Sequence, residues 1–197
     1  MQVRSVSFDT SFLLKESYLV DKIIKILKKD SIPCFITSTV VSELENLNMW
    51  GRITKQEYAQ SIKRWKHVDA TIIDFKNRFL SSTFGKECIN SMEKYHGVNA
   101  NDIVNDCNII VTALKNGIDI FLSEDYHFTS SVTLDVIDEI TNAACSEYHQ
   151  MCDSMIISVN SYIFIKAYKN RNFDVDYAKS HMKNIKKSKK NLGYYDQ

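Results

Sequence analysis

The clearest secondary-structure signal in the sequence is IVNDCNIIVTALKNGIDIFLSED, residues 103–125. Its first part predicts an amphipathic helix, because apolar residues recur at helical spacing: Ile103, Val104, Cys107, Ile110, Val111 and Leu114. Asn116-Gly117 provides a C-terminal cap for this helix. Residues 119–123 then read as a buried strand, which Glu124-Asp125 follows at once. A helix, a short turn and a strand in this order are typical of an α/β sheet.

The same alternation runs through the rest of the chain. Residues 3–8 alternate apolar and polar side chains as a short strand does, and Asp9 follows them. Thr10 or Ser11 can cap a helix that closes at Lys28-Lys29. The other elements that we expect are a strand at 33–37, a helix from Ser38 or Thr39 through Leu47, helices at 54–67 and 74–95, a helix with breaks over 134–170, and a basic helix at 174–190. The sheet is therefore predicted to be mainly parallel, with ligands beyond the carboxyl ends of its strands.

Composition bounds the protein class. A chain of 197 residues with 44% hydrophobic residues can bury one core, and 5 glycines and 1 proline leave no linker that would divide it. The five cysteines are odd in number and form no CxxC pair, which predicts reduced core thiols rather than disulfides or a zinc site.

No apolar stretch approaches the roughly 18–20 residues that cross a bilayer, and no signal peptide is evident. We expect a cytoplasmic protein without a membrane partner.

Charge is distributed unevenly along the chain. Residues 1–140 carry 16 Lys/Arg against 19 Asp/Glu, a balance of −3, whereas residues 141–197 carry 9 against 5, a balance of +4. An acidic body with a basic tail suits a cation site in the body and a polyanion near the tail. A solvated terminal helix would explain the same charges without any function.

Acidic residues stand where an α/β sheet places its chemistry. Asp9 follows the first strand and Asp125 follows the strand at 119–123. For either residue alone, a helix cap or a turn is the simpler interpretation. Glu43 differs, because its helix neighbours are apolar, whereas Glu45 lies on a more polar flank.

Two further acids share one side of the helix that Asn99 or Asn101 opens. Asp102 and Asp106 are four residues apart, so their like charges repel each other. The helix dipole favours Asp102 in the first turn, but it favours Asp106 less. Since no Lys or Arg stands three or four residues from Asp106, a cation from elsewhere is the natural partner. Carboxylates without Cys or spaced His select Mg²⁺ or Mn²⁺, which can activate water against a phosphodiester.

Three segments resemble the motifs of the PIN-domain family. SFDTSFLL, residues 7–14, resembles the opening strand with its Asp-Thr/Ser motif, and TSTVVSEL, residues 37–44, resembles the second motif with its helical Glu-Leu. Residues 105–128 resemble the Asp-bearing helix, small turn, strand and Thr/Ser-x-Asp ending with a following aromatic residue. The resemblance covers residues 3–135, within which 51–95 corresponds to a variable helical region of the family.

The resemblance implies a PIN-like three-layer α/β/α fold with a mainly parallel central sheet. It implies a catalytic domain at residues 1–140 and a basic, helical C-terminal extension at 141–197, packed on that domain or trailing from it. It further implies a catalytic acidic quartet that holds one or two ions of Mg²⁺ or Mn²⁺: Asp9, Glu43, Asp106 and Asp125. Ser11 and Ser123 match hydroxyls that orient these acids, and Asp102 is an accessory candidate.

The function that the resemblance implies is endonucleolytic cleavage of single-stranded or structured RNA, leaving a 3′ hydroxyl and a 5′ phosphate. RNA is thus the expected partner, and the tail would contact its phosphates through Lys183, Lys186, Lys187 and Lys190. The family also suggests a homodimer, and its toxin members suggest an antitoxin-like protein inhibitor. The length of this chain favours RNA processing or maintenance over a toxin.

Two other functions compete with the nuclease. A PIN-like module that binds RNA or protein without cutting usually lacks one or more of the acids, all four of which are present here. A phosphoacceptor receiver domain would place paired acids near the end of the first strand, where Asp9 has no acidic neighbour. The five histidines show no metal-ligand spacing, and only His127 falls near the predicted site.

Overall fold

The computed structural model describes residues 1–75, 79–152 and 154–182. Its centre is a sheet of five strands: β1 Val6–Phe8, β2 Cys34–Thr37, β3 Thr71–Ile73, β4 Ile120–Leu122 and β5 Ile157–Val159. The strand order is β3-β2-β1-β4-β5, and all neighbouring strands are parallel. Helices flank this sheet, an arrangement compatible with three α/β/α layers. The predicted α/β class with a parallel sheet is confirmed.

Strand β1 lies at the middle of the sheet and is fully buried. Its last residue, Phe8, lies opposite Ile36 of β2 on one side and Leu122 of β4 on the other. A strand covered on both faces is expected to be apolar. Val6 and Phe8 satisfy this on one face, whereas Ser7 on the other face is polar and fully buried. This register brings the carboxyl ends of β1, β2 and β4 to one edge of the sheet, the carboxyl edge.

The helices of the first half are α1 Thr10–Leu14, α2 Tyr18–Lys29, α3 Ser38–Met49 and α4 Lys55–His67. The prediction of one helix from Thr10 to Lys29 is wrong, because the chain breaks after α1 and Ser17 caps α2 through the amide of Leu19. The buried guanidinium of Arg64 provides hydrogen-bond donors for carbonyl groups at the end of α1. It donates to the carbonyl oxygens of Leu13 at 2.6 Å and Lys15 at 2.9 Å.

The helices between β3 and β5 are α5 Thr83–His96, α6 Ala100–Lys115, α7 Tyr126–Thr129 and α8 Val132–Glu147. The helix predicted at 74–95 begins only at residue 83, where Ser82 accepts the amide of Gly85 and caps α5. A Cβ atom on Gly85 would collide with the carbonyl oxygen of Phe79, which forms a short 3₁₀ turn before α5. Helix α6 matches its prediction, and Asn99 caps it.

The C-terminal segment is less helical than predicted. After α8 the chain forms β5, and then α9 Ser161–Ala167, the hairpin of β6 Tyr168–Lys169 with β7 Asn172–Phe173, and α10 Val175–Met182. The prediction of helix over 134–170 therefore holds for α8 and α9, and it is wrong for β5 and β6. The extension supplies the fifth strand of the sheet. Residues 156–159 are all buried and three of them are apolar, a run too short for its periodicity to separate strand from helix.

The hairpin also ties the C-terminal segment to the start of the chain. Phe173 donates its amide to the carbonyl of Met1, and Val3 donates to Arg171, both at 2.7 Å. Residue 140, the expected limit of the catalytic domain, lies inside α8. The basic helix predicted at 174–190 is described only as far as Met182. The predicted RNA contacts Lys183, Lys186, Lys187 and Lys190 lie outside the described residues.

The expectation of five reduced cysteines is wrong for one pair. Cys145 near the end of α8 and Cys152 form a disulfide, with their Cα atoms 4.4 Å apart. A short 3₁₀ turn, His149–Met151, returns the chain toward α8 and creates this proximity, which sequence spacing alone does not reveal. The other three cysteines are free and buried: Cys34, Cys88 and Cys107. Among the helices in the described part of the chain, none has the length and apolar character needed to traverse a bilayer.

Candidate functional site

Asp9 is the centre of the candidate site. It directly follows β1, and its amide donates to the carbonyl of Leu122 in β4 at 2.9 Å, so it lies at the junction of the two strands. Only 4% of the residue is exposed. Asp9 is also the N-cap of α1, where its carboxylate accepts the amide of Ser11. The simpler interpretation of this acid as a helix cap is therefore true, but it does not explain the other contacts of the carboxylate.

Two serine hydroxyls hold the same oxygen of Asp9. The hydroxyls of Ser11 and Ser123 donate to Oδ2 of Asp9 at 2.5 and 2.8 Å. Each hydroxyl in turn accepts a backbone amide, that of Glu124 at Ser11 and that of Asp125 at Ser123. Since a hydroxyl has a single proton to donate, these amide bonds direct both protons toward Asp9. The network fixes the orientation of the Asp9 carboxylate and connects it to the chain just after β4.

Glu43 reaches the site from α3. It is half-buried, and its Oε2 accepts the hydroxyl of Thr10 at 2.5 Å. The side chain of Asn105, on α6, also hydrogen-bonds to Glu43. Burial, and next the negative charge of Asp9, raise the pKa of Glu43 to about 7.

Asp106 projects into the same neighbourhood from α6. Its pKa is raised well above the ordinary value, first by burial and then by the charges of Asp9, Asp125 and Glu43. The pKa of Asp9 is raised to about 6, chiefly by burial, with Asp125 adding to the effect against the serine hydrogen bonds. The carboxylates thus destabilise each other's charged forms.

Asp125 forms the more open side of the cluster. It is the N-cap of α7, where Oδ1 accepts the amide of His127 at 2.7 Å, and its side chain is 23% exposed. The ring atom Nδ1 of His127 lies 3.4 Å from the same oxygen. Next to it, Glu124 pairs with Lys15 at 2.6 Å and accepts the amide of Ser161 at the start of α9. Glu124 therefore connects the end of β4 to the start of α9, which follows β5.

The structure brings together all four acids predicted for the quartet. They come from four different elements, and their mutual charge effects place them in one electrostatic neighbourhood. The predicted hydroxyls of Ser11 and Ser123 contact this cluster directly. Asp102 does not join it: the residue is exposed in the first turn of α6, and no hydrogen bond or charge effect among the described residues links it to the quartet.

Thr10, Asn105 and Glu124 were not predicted as site residues. The sequence marks Thr10 as a helix cap, but Asp9 takes that role and frees the threonine hydroxyl for Glu43. Asn105 directly precedes Asp106, and this adjacency is the one sequence signal that it faces the same site. The role of Glu124 depends on the position of β5, which the sequence did not reveal.

Buried carboxylates that repel one another have two stable states, either protonated or neutralised by a cation. Oxygen donors of this kind suit hard divalent ions. In the described residues and in the conformation observed, no group of three or more His, Cys, Asp or Glu side chains is arranged to hold a metal ion. No protein-family model matches the chain, and the comparison with curated proteins finds no match.

Proposed function

We propose that this chain is a divalent-metal-dependent endoribonuclease of the PIN-like type that its sequence motifs resemble. The observation that carries the proposal is the mutual charge repulsion of four carboxylates, which reach the carboxyl edge of a parallel sheet from separate elements: Asp9, Glu43, Asp106 and Asp125. The carboxyl edge is the place where an α/β fold is expected to bind its ligand.

The chemistry of the donors fits Mg²⁺ or Mn²⁺. All four side chains offer carboxylate oxygens, the donors that hard divalent ions prefer. The raised pKa values of Asp9 and Glu43 support the same conclusion, because a divalent cation would stabilise the ionised forms that burial and repulsion disfavour. We expect one or two ions, held by the quartet.

The residues around the quartet would position it for hydrolysis. Ser11 and Ser123 engage Oδ2 of Asp9, which leaves Oδ1 as the oxygen we expect to bind the ion. Thr10 and Asn105 orient Glu43 in the same way. When bound, the ion would polarise the phosphodiester and lower the pKa of the water that attacks it in line. The more exposed Asp125 lies on the side from which the RNA would approach.

The competing proposal is a PIN-like module that binds RNA or protein without cutting. It makes the acids a purely structural cluster, although burial and neighbouring negative charge raise the pKa values of Asp9 and Glu43 and so disfavour their ionised forms. A carboxylate kept for structure is better paired, as Asp119 is: this buried residue accepts the amide and the guanidinium of Arg4. The contrast between Asp119 and the quartet favours the enzyme.

The test is the cleavage of a mixed pool of RNA by the wild type and by two variants of α6. Asp106→Asn removes a member of the quartet, and Asp102→Asn is its matched control, one turn away and exposed. We expect Mn²⁺-dependent cleavage, abolished by EDTA and by Asp106→Asn but retained in Asp102→Asn. If the folded wild type cuts no RNA with any divalent ion, or Asp106→Asn cuts equally well, the nuclease is excluded and the binding module takes its place.

A further inference from the structure

Three aromatic side chains lie beside Asp125. Tyr126 and His127 form the first turn of α7, and His96 reaches them from the end of α5. The ring centroids of His96 lie 5.3 Å from His127 and 6.0 Å from Tyr126, in both cases edge to face. We call these three residues the aromatic rim. It continues the acidic cluster along the open side of the site.

Contacts of the surrounding chain hold His127, the residue of the rim nearest to the Asp125 carboxylate. Oδ1 of Asp125 accepts the amide of His127 and lies 3.4 Å from its ring nitrogen, while the carbonyl of His127 accepts the hydroxyl of Thr133 at 2.7 Å. Rings fixed in advance lose little freedom when a ligand contacts them. The orientation of the His127 ring is thus already fixed in the free protein, before a planar ligand binds.

Core packing does not account for the rim. The next aromatic residue along the chain, Phe128, is fully buried and packs on Phe121 of β4 with ring centroids 5.1 Å apart. In contrast, the side chain of His127 remains 22% exposed, and Tyr126 and His96 are also half-buried. The chain places one aromatic ring in the core and presents the neighbouring rings at the edge of the site.

We propose that the aromatic rim stacks on an unpaired RNA base next to the phosphodiester that is cut. This inference rests on the proposed function and names the substrate class within it. The quartet and its ion would engage only the phosphodiester, so the adjoining base needs a contact of its own near Asp125. Stacking meets this need, because every base has a flat face. A base inside a duplex has both faces covered, so the rim would accept only an unpaired base.

The test measures binding separately from cleavage. Fluorescence anisotropy follows a short unstructured RNA, and an abasic ribose-phosphate chain of equal length, in the full-length Asp106→Asn background with Mn²⁺. Into this background we add Tyr126→Ala, Tyr126→Leu or Tyr126→Phe. Tyr177→Ala is the matched control, since Tyr177 is a half-buried tyrosine on α10, which follows the hairpin at the opposite edge of the sheet.

We expect Tyr126→Ala and Tyr126→Leu to weaken RNA binding by about 5-fold to 140-fold, the range for one stacked base. Tyr126→Phe and Tyr177→Ala should bind as the background does, and the abasic chain should bind equally weakly to all variants. Equal RNA affinity of Tyr126→Leu and Tyr126→Phe, with both folded by circular dichroism, would overturn the stacking proposal even if the wild type cuts RNA. Loss in Tyr126→Leu without any cleavage by the wild type would leave the stacking intact and exclude the nuclease.

Discussion

The carboxylate of Asp9 and the hydroxyl of Ser123 lie 2.8 Å apart, although 114 positions separate them in the sequence. The pairing of β1 with β4 creates this contact, because Asp9 and Ser123 each directly follow their strand. Ser123 also accepts the amide of Asp125, so a single hydroxyl connects two acids of the quartet. The geometry of the site is therefore a direct product of the strand order.

Replacing Ser123 with alanine should lower both stability and activity. The change leaves Oδ2 of Asp9 and the amide of Asp125 each short of a partner, which we expect to cost about 1–3 kcal/mol of unfolding free energy. Loss of orientation should reduce cleavage about 10- to 100-fold. Ser158→Ala is the control, because that serine is equally buried in β5 but its hydroxyl has no partner among the described residues. Equal unfolding midpoints in urea for the two variants would contradict this prediction.

The acid on α3 should be needed for cleavage, and its neighbour should not. Glu43→Gln removes a charge that Thr10 and Asn105 hold in the site, and we expect cleavage to fall at least about 100-fold, since even residues that only orient metal ligands contribute 10- to 100-fold. Glu45→Gln changes an exposed acid on the same helix. Initial rates on one labelled RNA compare the two, and similar losses in both variants would refute the assignment of Glu43.

Without metal, the protein should become more stable as the pH falls from about 8 to about 5. The pKa of Asp9 is about 6 and that of Glu43 about 7 in the folded protein, both above their ordinary values. Over this interval the folded state binds more protons than the unfolded state, so stability is lost as the pH rises. Urea unfolding in EDTA at several pH values measures this trend.

Asp106→Asn provides the reference for that experiment, because it removes one charge that opposes the ionisation of the others. The pH dependence of the variant should be shallower, and the difference between the two curves excludes contributions from titrating groups elsewhere. A wild-type curve that rises with pH more steeply than that of Asp106→Asn would contradict the raised pKa values.

Arg64 should matter far more than its position on a surface helix suggests. Its guanidinium donates to the carbonyls of Leu13 and Lys15 at the end of α1, the helix that Asp9 caps. Arg64→Met removes donors from both, and we expect a loss of about 2–5 kcal/mol in unfolding free energy. Lys63→Met, at the exposed neighbouring position, should change the unfolding midpoint little. A small effect of Arg64→Met in the same urea titration would show that α1 is held by other contacts.

The sequence predicted the core of the fold where its patterns were long. Sixteen residues of α6 show a clear helical period and a cap at Asn99, and β4 follows a glycine turn. Acids that directly follow strands could be placed for the same reason, since the ends of parallel strands share one edge. Asp9 and Asp125 were therefore predictable as neighbours.

Elements that are very short, or that depend on contacts between distant residues, could not be predicted from the sequence. The strand β5 has only three residues, too few for a period, and the break between α1 and α2 depends on Arg64 from a distant helix. The partners of Glu43 could not be named either, because sequence patterns do not show which faces of α1, α3 and α6 meet. The sequence distinguished Asp102 from Asp106 by its place in the first turn of the helix, and the packing of α6 leaves Asp102 exposed while Asp106 lies in the cluster.

Calorimetric titration of Mn²⁺ into the folded protein at pH 8 measures whether the four acids of the quartet jointly bind a divalent ion. We expect the wild type and Asp102→Asn to bind one or two ions with equal affinity, and Asp106→Asn to bind at least about 10-fold more weakly. If the wild type takes up no Mn²⁺, or if Asp106→Asn binds it as tightly as Asp102→Asn does, the quartet is not a metal site.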